Sequence, residues 1–286
     1  MKKFLKIVKI FSVALIILIF LTGVYLIINI NYCANTLVIT NYTYQTNEIN
    51  TNLRYVFISD LHNKEFGENN CDLVNKIKDI KPDFIAVGGD MVTNDYVNDD
   101  VMKNVLTQFS EIAPTYCVLG NHELDLAEQI DFAKDINETG AMLLDNESVI
   151  FEKDNEKIII GGLSDYPFYE FNGPDYDVPE RYLWDDFTKA AESDFSILLH
   201  HQPEYIGGRL EDTEIDLVMC GHTHGGLIQI PFLGGLVAPN QGLFPEYDLG
   251  EYTFDDTTMI VSAGLSVSNW VPRINNPAEI CVVEIN

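Results

Sequence analysis

The pattern of hydrophobic positions divides the chain into an apolar N-terminal segment and a longer part in which short apolar runs alternate with amphipathic stretches. From Ile10 to Ile30 the chain carries no charged side chain over 21 residues, the length of a helix that spans a bilayer. Four lysines lie in residues 1–9. The positive-inside rule therefore predicts a cytoplasmic basic tail at 1–9, a transmembrane anchor at 10–30, and the rest of the chain outside the cytoplasmic membrane.

Two other interpretations of this apolar segment are open. A cleaved signal peptide has a shorter apolar core and ends in a small-residue cleavage site, whereas this run ends in ININYCANT. A buried core helix would leave the flanking lysines unexplained. Residues 31–50, which are polar and rich in Asn and Thr, are predicted to be a linker that leads to a domain over residues 51–286.

Within that domain, the runs LRYVFIS, DFIAVGG, TYCVLG, FSILL and IDLVMCG are typical of buried strands. The segments NNCDLVNKIKDI, VMKNVLTQF and LAEQIDFAKDINETG, which lie between the first runs, have the apolar spacing of amphipathic helices. Strands that alternate with helices indicate sheets covered by helices. From about residue 228 the helical pattern gives way to Gly, Pro and strand-like pieces.

Charge and cysteine usage exclude some functions. The 17 basic residues less the four lysines of the tail leave 13 against 44 acidic residues, a net charge near −31. A domain with this charge repels nucleic acid, so no nucleic-acid partner is expected. The five cysteines form no CxxC pair, which argues against a disulfide framework and against cysteine-ligated zinc.

Polar side chains follow each of the five predicted strands. They are Asp60 and His62, Asp90, Asn121 and His122, His200 and His201, and His222 and His224. A single histidine would be interpreted as an ordinary core or surface residue. Polar groups at the carboxyl ends of several strands instead indicate a shared site, and imidazole and oxygen ligands without thiolate suit Mn, Fe or Zn. Asp60 and His62 are two residues apart, as are His222 and His224, so an extended backbone would point each pair to one side.

The motifs DLH, GGD, GNHE, LLHHQP and GHTHGG, in this order, resemble the signature of the calcineurin-like metallophosphoesterase superfamily over residues 53–286. The tail segments LFPEYDLGEYTF and SAGLSVSNWVPRINNPAEI resemble a subgroup of bacterial membrane-anchored phosphodiesterases. The resemblance implies an α/β (α+β) fold, a four-layer αββα sandwich of two mixed sheets flanked by helices, after one transmembrane helix.

The resemblance also implies a role for each motif residue. The first metal would be held by Asp60, His62 and His224, the second by Asn121, His201 and His222, and Asp90 would bridge both. The metals would be two divalent transition ions, with Mn²⁺ favoured and Fe or Zn as alternatives. They would activate a water and clamp the phosphate oxygens. His122 would donate a proton to the leaving group, although a supporting role that orients a ligand is the alternative.

Two weaker features complete the predicted site. Arg273 and Asn121 are candidates for binding the substrate phosphate, although a surface salt bridge is the commoner role of an arginine. The acidic, aromatic loop at 165–187 contains Tyr182 and Trp184. It could form a rim for a lipid-linked substrate, but aromatic side chains more often pack onto their own domain.

The predicted function is that of a membrane-anchored dinuclear-metal phosphoesterase, with its catalytic domain outside the cytoplasm, that hydrolyses a phosphodiester or pyrophosphate of small or lipid-linked type. One alternative is a nucleotidase or nuclease on the outer side of the membrane. Another is a metal-binding interaction module without catalytic activity.

Overall fold

The computed structural model describes residues 2–163, 179–211, 213–267 and 271–286. The helices within these ranges are α1 Lys2–Asn35, α2 Cys71–Ile80, α3 Asp100–Ser110, α4 Asn121–Leu126, α5 Phe132–Glu138, α6 Pro179–Ala191 and α7 Pro203–Ile206. The first eight strands are β1 Leu37–Tyr44, β2 Leu53–Ile58, β3 Phe84–Val87, β4 Thr115–Cys117, β5 Met142–Leu143, β6 Glu147–Lys153, β7 Glu156–Gly162 and β8 Ser196–Leu199. The remaining strands are β9 Leu217–Cys220, β10 Gln229–Ile230, β11 Gly234–Gly235, β12 Val237–Ala238, β13 Gly242–Leu243, β14 Gly250–Phe254, β15 Thr257–Val261 and β16 Ala278–Ile285.

Two mixed sheets of six strands form the centre of the domain. Sheet 1 has the order β1-β16-β2-β3-β4-β5, and sheet 2 has the order β14-β15-β9-β8-β7-β6. In sheet 1 the strands from β2 to β5 are parallel, and in sheet 2 the strands β7, β8, β9 and β15 are parallel. Two short hairpins, β10–β11 and β12–β13, lie outside both sheets.

Side chains that alternate along the strands build the layers. In β2, Tyr55 and Phe57 pack between the two sheets, whereas Val56 and Ile58 pack on the outer face of sheet 1 against α2, α3 and α5. The outer face of sheet 2 is covered by Phe187 and other residues of α6. Because successive side chains of a strand point to opposite faces, a strand buried on both faces is apolar throughout, as these runs are. The predicted four-layer αββα fold is confirmed.

The five apolar runs coincide with β2, β3, β4, β8 and β9, but two predicted segments differ. The helical pattern predicted from Leu126 to Gly140 is interrupted: α4 ends at Leu126 and α5 begins at Phe132. Asp131 starts the new helix because its side chain accepts a hydrogen bond from the main-chain N–H of Lys134. The end of the predicted loop at 165–187 is helical, since α6 begins at Pro179, and proline is well suited to the first turn of a helix.

The predicted linker at 31–50 also differs from the structure. Helix α1 continues to Asn35, and residues 37–44 form β1, which pairs with β16 at the edge of sheet 1 in parallel register. Leu37 packs into the core beneath α2 and α3, and Tyr42 packs between the sheets. The polar residues between them leave this edge strand without the continuous apolar run of a central strand, which is why its sequence resembles a linker.

Helix α1 is long and apolar enough, by length and composition, to cross a membrane, and among the described residues no other helix meets this test. Its apolar side chains from Phe4 to Ile28 are mostly exposed. A soluble helix with this surface would bring a large apolar area into contact with water, which is unfavourable.

Strand β1 is expected to stabilise the domain rather than to tether it. A fragment of residues 51–286 loses the burial of Leu37 and Tyr42, at roughly 1.5–3 kcal/mol for each large apolar side chain. Compared with residues 36–286, it should therefore unfold at a lower urea concentration, which circular dichroism would measure. Equal midpoints for the two fragments would contradict this role of β1.

Candidate metal centre

The polar residues of the five motifs meet at one edge of the sandwich. Asp60, Asp90 and Asn121 follow the carboxyl ends of three neighbouring parallel strands of sheet 1. His201 and His222 follow two neighbouring strands of sheet 2. Since the two sheets pack face to face, side chains from both reach a common centre.

Three overlapping groups of side chains form this centre. In each group the potential ligand atoms lie within 4.8 Å of one another, and all members are buried except His122, whose side chain is 12% exposed. The groups are Asp60, His62 and His224; His62, Asp90 and His122; and Asp90, His201 and His222. Because Asp90 and His62 each belong to two groups, the groups are continuous.

The main chain at these residues is unusual. Five of them have positive φ angles: Asp60 (57°), His62 (48°), Asp90 (52°), His222 (68°) and His224 (50°). The left-handed region is uncommon for residues other than glycine, and such conformations concentrate at functional sites. The expectation that extended backbone aligns each Asp or His pair was therefore wrong, because tight turns present these side chains.

Two glycines enclose the carboxylate of Asp60. A Cβ atom at Gly264, whose φ is +67°, would lie 2.7 Å from the Cβ of Asp60. A Cβ atom at Gly221 would lie 2.6 Å from Asp60 Oδ2. A side chain at either position would therefore clash with Asp60. The carboxylate also accepts hydrogen bonds from Ser59 Oγ and from the main-chain N–H of His222.

Main-chain carbonyls set the orientation of two imidazoles. His201 Nδ1 lies 2.6 Å from the carbonyl of Gly88, and His62 Nδ1 lies 3.2 Å from the carbonyl of Val92. A carbonyl can only accept, so each Nδ1 carries the proton and each Nε2 presents a lone pair to the centre. His201 Nε2 lies 3.2 Å from Asp90 Oδ2.

Burial keeps His62, His222 and His224 neutral at pH 7. It lowers the pKa of His62 to about 4 and that of His222 to about 3, and it lowers the pKa of His224 well below its usual value. Burial also raises the pKa of Asp60 to about 6. Neutral imidazole is the form that binds a metal, so these rings need no deprotonation before they act as ligands.

Asp90 lies at the middle of the electrostatic arrangement. Burial favours its neutral form, but the imidazoles of His201, His62 and His122 outweigh this effect and hold the pKa of Asp90 well below its usual range. Its Oδ1 accepts a hydrogen bond of 2.9 Å from the main-chain N–H of His122. Its Oδ2 lies 3.9 Å from His62 Nε2 and 3.2 Å from His201 Nε2. This oxygen therefore faces one imidazole that follows a strand of sheet 1 and one that follows a strand of sheet 2.

Buried side-chain atoms without a hydrogen-bond partner indicate whether these residues suit metal ions. Several buried atoms of these residues find no hydrogen-bond partner in the described part of the chain; they include His62 Nε2, Asn121 Oδ1, His222 Nδ1 and His224 Nδ1. A buried polar atom without a partner is costly, and several in one place require a ligand. Their chemistry, imidazole nitrogen and amide oxygen beside two carboxylates, fits divalent transition metals.

His122 has a different environment from the other histidines. Its Nδ1 accepts a hydrogen bond of 2.9 Å from the main-chain N–H of Asn94. A ring proton is therefore on Nε2, which lies 3.8 Å from Asp90 Oδ2. The ring is slightly exposed at the mouth of the site, so its N–H can reach a bound molecule.

The two adjacent histidines after β8 point to different places. His201 enters the centre, whereas His200 Nδ1 lies 3.3 Å from the carbonyl of Leu163. His200 is fully buried, and burial lowers its pKa to about 4. The structure thus brings His201, and not its neighbour, to Asp90.

Arg273 does not extend toward a substrate. It is 4% exposed, and its guanidinium donates to the main-chain carbonyls of five residues and to Asn276 Oδ1. The five carbonyls belong to Ala263, Gly264, Ser266, Asn276 and Pro277. With its donors directed to main chain, Arg273 is neither the phosphate-binding residue nor the surface ion pair that the sequence suggests. It holds together two segments behind Asp60 and His224.

The described part of the aromatic loop packs onto the domain. Trp184 is partly buried against the cluster on the outer face of sheet 2, and Phe187 is fully buried there. Residues 164–178 and the side chain of Tyr182 lie outside the described residues. The packing of Trp184 agrees with the simpler of the two interpretations of this segment.

Glu123 was overlooked by the sequence analysis. Its buried carboxylate accepts four main-chain N–H groups at 2.7–3.0 Å, from Asp90, Met91, Val92 and Gly120. The only sequence signal is its place in the first turn of α4, where glutamate often accepts from the residue before the helix. Burial, with the Asp90 carboxylate adding to it, raises the pKa of Glu123 to about 7.

Glu204 and Asn240 were also overlooked. Glu204 Oε1 lies 3.5 Å from His222 Nε2, and the side-chain amide of Asn240 lies 3.2 Å from the same nitrogen. A partner at Nε2 leaves Nδ1 of His222 to face the centre, an arrangement that orients metal-binding histidines in many sites. No spacing in the sequence connects these two residues with His222.

Replacing Glu123 by Gln should weaken metal binding. Gln keeps the size but places an amide group against main-chain N–H donors, so the loop that carries Asp90 loses its support. The affinity for Mn²⁺, measured by isothermal titration calorimetry, should fall roughly 10- to 100-fold, as for other residues that support metal ligands. Glu128→Gln, which removes the same charge from an exposed position of the next turn, is the control. Unchanged affinity in Glu123→Gln would contradict this role.

Comparison with known proteins agrees with this geometry. Residues 53–226 match the family model described as "Calcineurin-like phosphoesterase". The chain is 26% identical to the Escherichia coli protein named Phosphodiesterase YaeI, over 81% of this chain and 82% of that protein. It is 32% identical to the Campylobacter jejuni protein named Uncharacterized metallophosphoesterase Cj0846, over 96% of this chain and 70% of that protein.

Among solved structures, the crystal structure of TT1561 from Thermus thermophilus aligns with a TM-score of 0.49 and 11% identity, over 76% of this chain and 91% of that one. The family match covers more than half of the chain and spans the five motifs whose side chains meet at the centre. The chain belongs to the calcineurin-like phosphoesterase family.

Proposed function

We propose that this protein is a membrane-anchored phosphoesterase that uses two divalent metal ions to hydrolyse a phosphodiester or pyrophosphate bond outside the cytoplasmic membrane. The observation that carries the proposal is the set of buried ligand atoms without partners around the Asp90 carboxylate. Imidazole nitrogens from both sheets surround this one carboxylate, as a site for two cations that share a ligand requires.

The ligands divide naturally into two sets. Asp60, His62 and His224 would hold one ion, and Asn121, His201 and His222 the other, with Asp90 between them. Two bound ions supply positive charge that neutralises phosphate oxygens and lowers the pKa of a water molecule. Nitrogen and oxygen donors without thiolate suit Mn²⁺, with Fe and Zn as alternatives.

The protein's own residues provide proton transfer. His122 holds its proton on Nε2 because Nδ1 accepts from the Asn94 main chain. That proton faces the mouth of the site and can pass to the oxygen of a leaving group as the phosphorus–oxygen bond breaks. General acid catalysis of this type contributes on the order of 10²- to 10⁴-fold, and most where the leaving group is a poor one.

The substrate class and location rest on two further observations. The name of YaeI supports a phosphodiester as the bond that is cleaved. Helix α1, with lysines before its apolar span, supports an anchor with the N-terminus inside and the catalytic domain outside. Anchoring confines the domain to the membrane surface and raises its effective concentration toward substrates there.

Metal dependence is the first expected result. Full-length protein stripped by a chelator should not hydrolyse bis(p-nitrophenyl) phosphate, and Mn²⁺ should restore hydrolysis, followed as p-nitrophenolate absorbance. Asp90→Asn should abolish the restored activity because both ion sites share this carboxylate. Asp79→Asn, at an exposed position of α2, should behave as the native protein.

The same assay separates the alternatives. Full metal occupancy without turnover of the diester, the matching monoester, a pyrophosphate or a nucleotide would favour a non-catalytic binding module. Faster turnover of a nucleoside monophosphate than of any diester would favour a nucleotidase.

The role of His122 predicts a dependence on the leaving group. In His122→Asn, kcat/KM should fall roughly 10²- to 10⁴-fold for a diester with an alkyl leaving group, which needs a proton, but much less for p-nitrophenolate, which does not. Steady-state kinetics with both substrates would measure the difference. Equal losses for the two leaving groups would instead assign His122 a role in orienting the site.

A further inference from the structure

The end of helix α1 is fixed to the catalytic domain next to the metal centre. Tyr25 Oη donates to Asn275 Oδ1 at 2.6 Å, and Asn29 Oδ1 accepts from the main-chain N–H of Asn275 at 2.7 Å. Cys33 Sγ accepts from the N–H of Asn276, and Lys64 Nζ donates to the carbonyl of Ala34. Asn276 in turn donates to the carbonyl of His224 at 2.6 Å.

These contacts set the height of the domain relative to the bilayer. Tyr25 and Asn29 belong to the last turns of the predicted membrane span, residues 10–30. One stripe of the helix, at Leu26, Asn29 and Cys33, is partly or fully buried, whereas most of the residues between are exposed. If residues 10–30 cross the bilayer, the domain surface around Asn275 lies at its outer boundary.

Two hairpins extend from this surface. The first, β10–β11, begins beside Asn275: Gln229 N donates to the carbonyl of Ile274, and the Asn275 side chain donates to the carbonyl of Gln229. Its turn exposes Phe232 completely (107%) and Leu233 by 69%. The second hairpin, β12–β13, exposes Leu243 by 69% and Phe244 by 61%. We call these four side chains the apolar tips.

The apolar tips are held outward at a conformational cost. Phe232 has a φ of 70° and Phe244 a φ of 55°. For bulky side chains these positive values are outliers, and they cluster where function requires them. The two hairpins are also linked, since the N–H of Phe244 donates to the carbonyl of Leu236.

The charge pattern identifies what can cover the apolar tips. The segment 227–245, which contains both hairpins, has no charged residue over 19 positions, although the chain carries 44 acidic ones. An anionic bilayer would repel most of this domain, but it would not repel this segment. Exposed apolar patches of this kind mark protein or membrane contacts, and here the patch adjoins the membrane span.

Resting on the proposed function, we propose that the apolar tips insert into the outer face of the bilayer that α1 spans, and that this docking holds the metal centre beside lipid head groups. The hairpins begin immediately after the turn that carries His224, and Asn240 of the second hairpin lies 3.2 Å from His222. A phosphodiester or pyrophosphate carried by a lipid would then reach the ligands without leaving the membrane surface.

The insertion can be measured with the full-length protein in vesicles of phosphatidylethanolamine and phosphatidylglycerol. In a Cys71→Ser background, which removes the exposed thiol, an environment-sensitive fluorophore is attached at Phe232→Cys or Leu243→Cys. Nitroxide-labelled lipids then quench it. Leu15→Cys, in the predicted span, is the positive reference, and Ile150→Cys, an exposed apolar position on β6 of sheet 2, is the matched control.

Quenching at positions 232 and 243 should be at least roughly threefold greater than at 150, because the quencher is confined to the bilayer. Strong quenching at position 15, together with quenching at positions 232 and 243 that is no greater than at position 150, would overturn the docking. The anchor would then still be supported. A lack of quenching at 15 would show that the anchor itself, part of the proposed function, is wrong. A fluorophore at the tips that is shielded from water but not quenched by the lipids would indicate that a second copy of the chain covers the tips. This result would also overturn the docking.

A kinetic experiment tests the consequence for the substrate. Phe232→Ser combined with Leu233→Ser should lower the hydrolysis of a p-nitrophenyl phosphodiester of diacylglycerol in vesicles by about tenfold, since apolar contact with the membrane is lost. The kcat/KM for soluble bis(p-nitrophenyl) phosphate is the internal reference for folding, and Ile150→Ser is the control variant. Equal loss on both substrates, or no loss on either, would overturn the proposal. Absence of activity in the native protein would contradict the proposed function instead.

Discussion

The carboxylate of Glu123 holds together two of the loops that form the metal centre. It joins the loop after β3 to the loop after β4 by accepting four main-chain N–H groups. Asp90 lies on one loop, and Asn121 and His122 lie on the other. A buried carboxylate is tolerable only when its lone pairs accept hydrogen bonds. In Glu123 the same four hydrogen bonds satisfy the lone pairs and fix the spacing of the two loops.

Burial raises the pKa of Glu123, and repulsion from the nearby carboxylate of Asp90 raises it further. The imidazoles of His201, His62 and His122 lower the pKa of Asp90, but burial disfavours a positive charge on His62 and His222. Cations bound by these ligands would supply the missing positive charge. The strained turns at Asp60, Asp90 and His222 belong to the same arrangement, since they hold ligand atoms close to one another before any ion binds.

Sequence patterns identified the central strands and the residues at their ends because both follow from local rules. A strand buried on two faces must be apolar throughout. A residue that directly follows the strand lies at its carboxyl end, whatever the path of the rest of the chain. Strand β1 escaped this reasoning because its polar side chains face away from the core at a sheet edge. The interruption between α4 and α5 escaped it because the apolar spacing continues across the break at Asp131.

The supporting residues of the site were harder to predict for a different reason. Glu123, Glu204 and Asn240 act through contacts between segments that are distant in sequence, and nothing in their neighbours signals the contact. For Arg273 the sequence suggested a phosphate contact or a surface salt bridge, and both expectations assume an exposed side chain, as is usual for arginine. Here six acceptor oxygens replace water around its guanidinium, which a sequence pattern does not reveal.

The pairing of β1 with β16 has a consequence for biogenesis. Strand β16 lies between β1 and β2, so an interior strand of sheet 1 is synthesised after the other five strands of that sheet. Contacts between residues so far apart in sequence form late, since the entropy of closing the intervening loop opposes them. Sheet 1 therefore stays incomplete until residues 278–285 have left the ribosome. Helix α1 and the domain can become one rigid unit only after these residues have emerged.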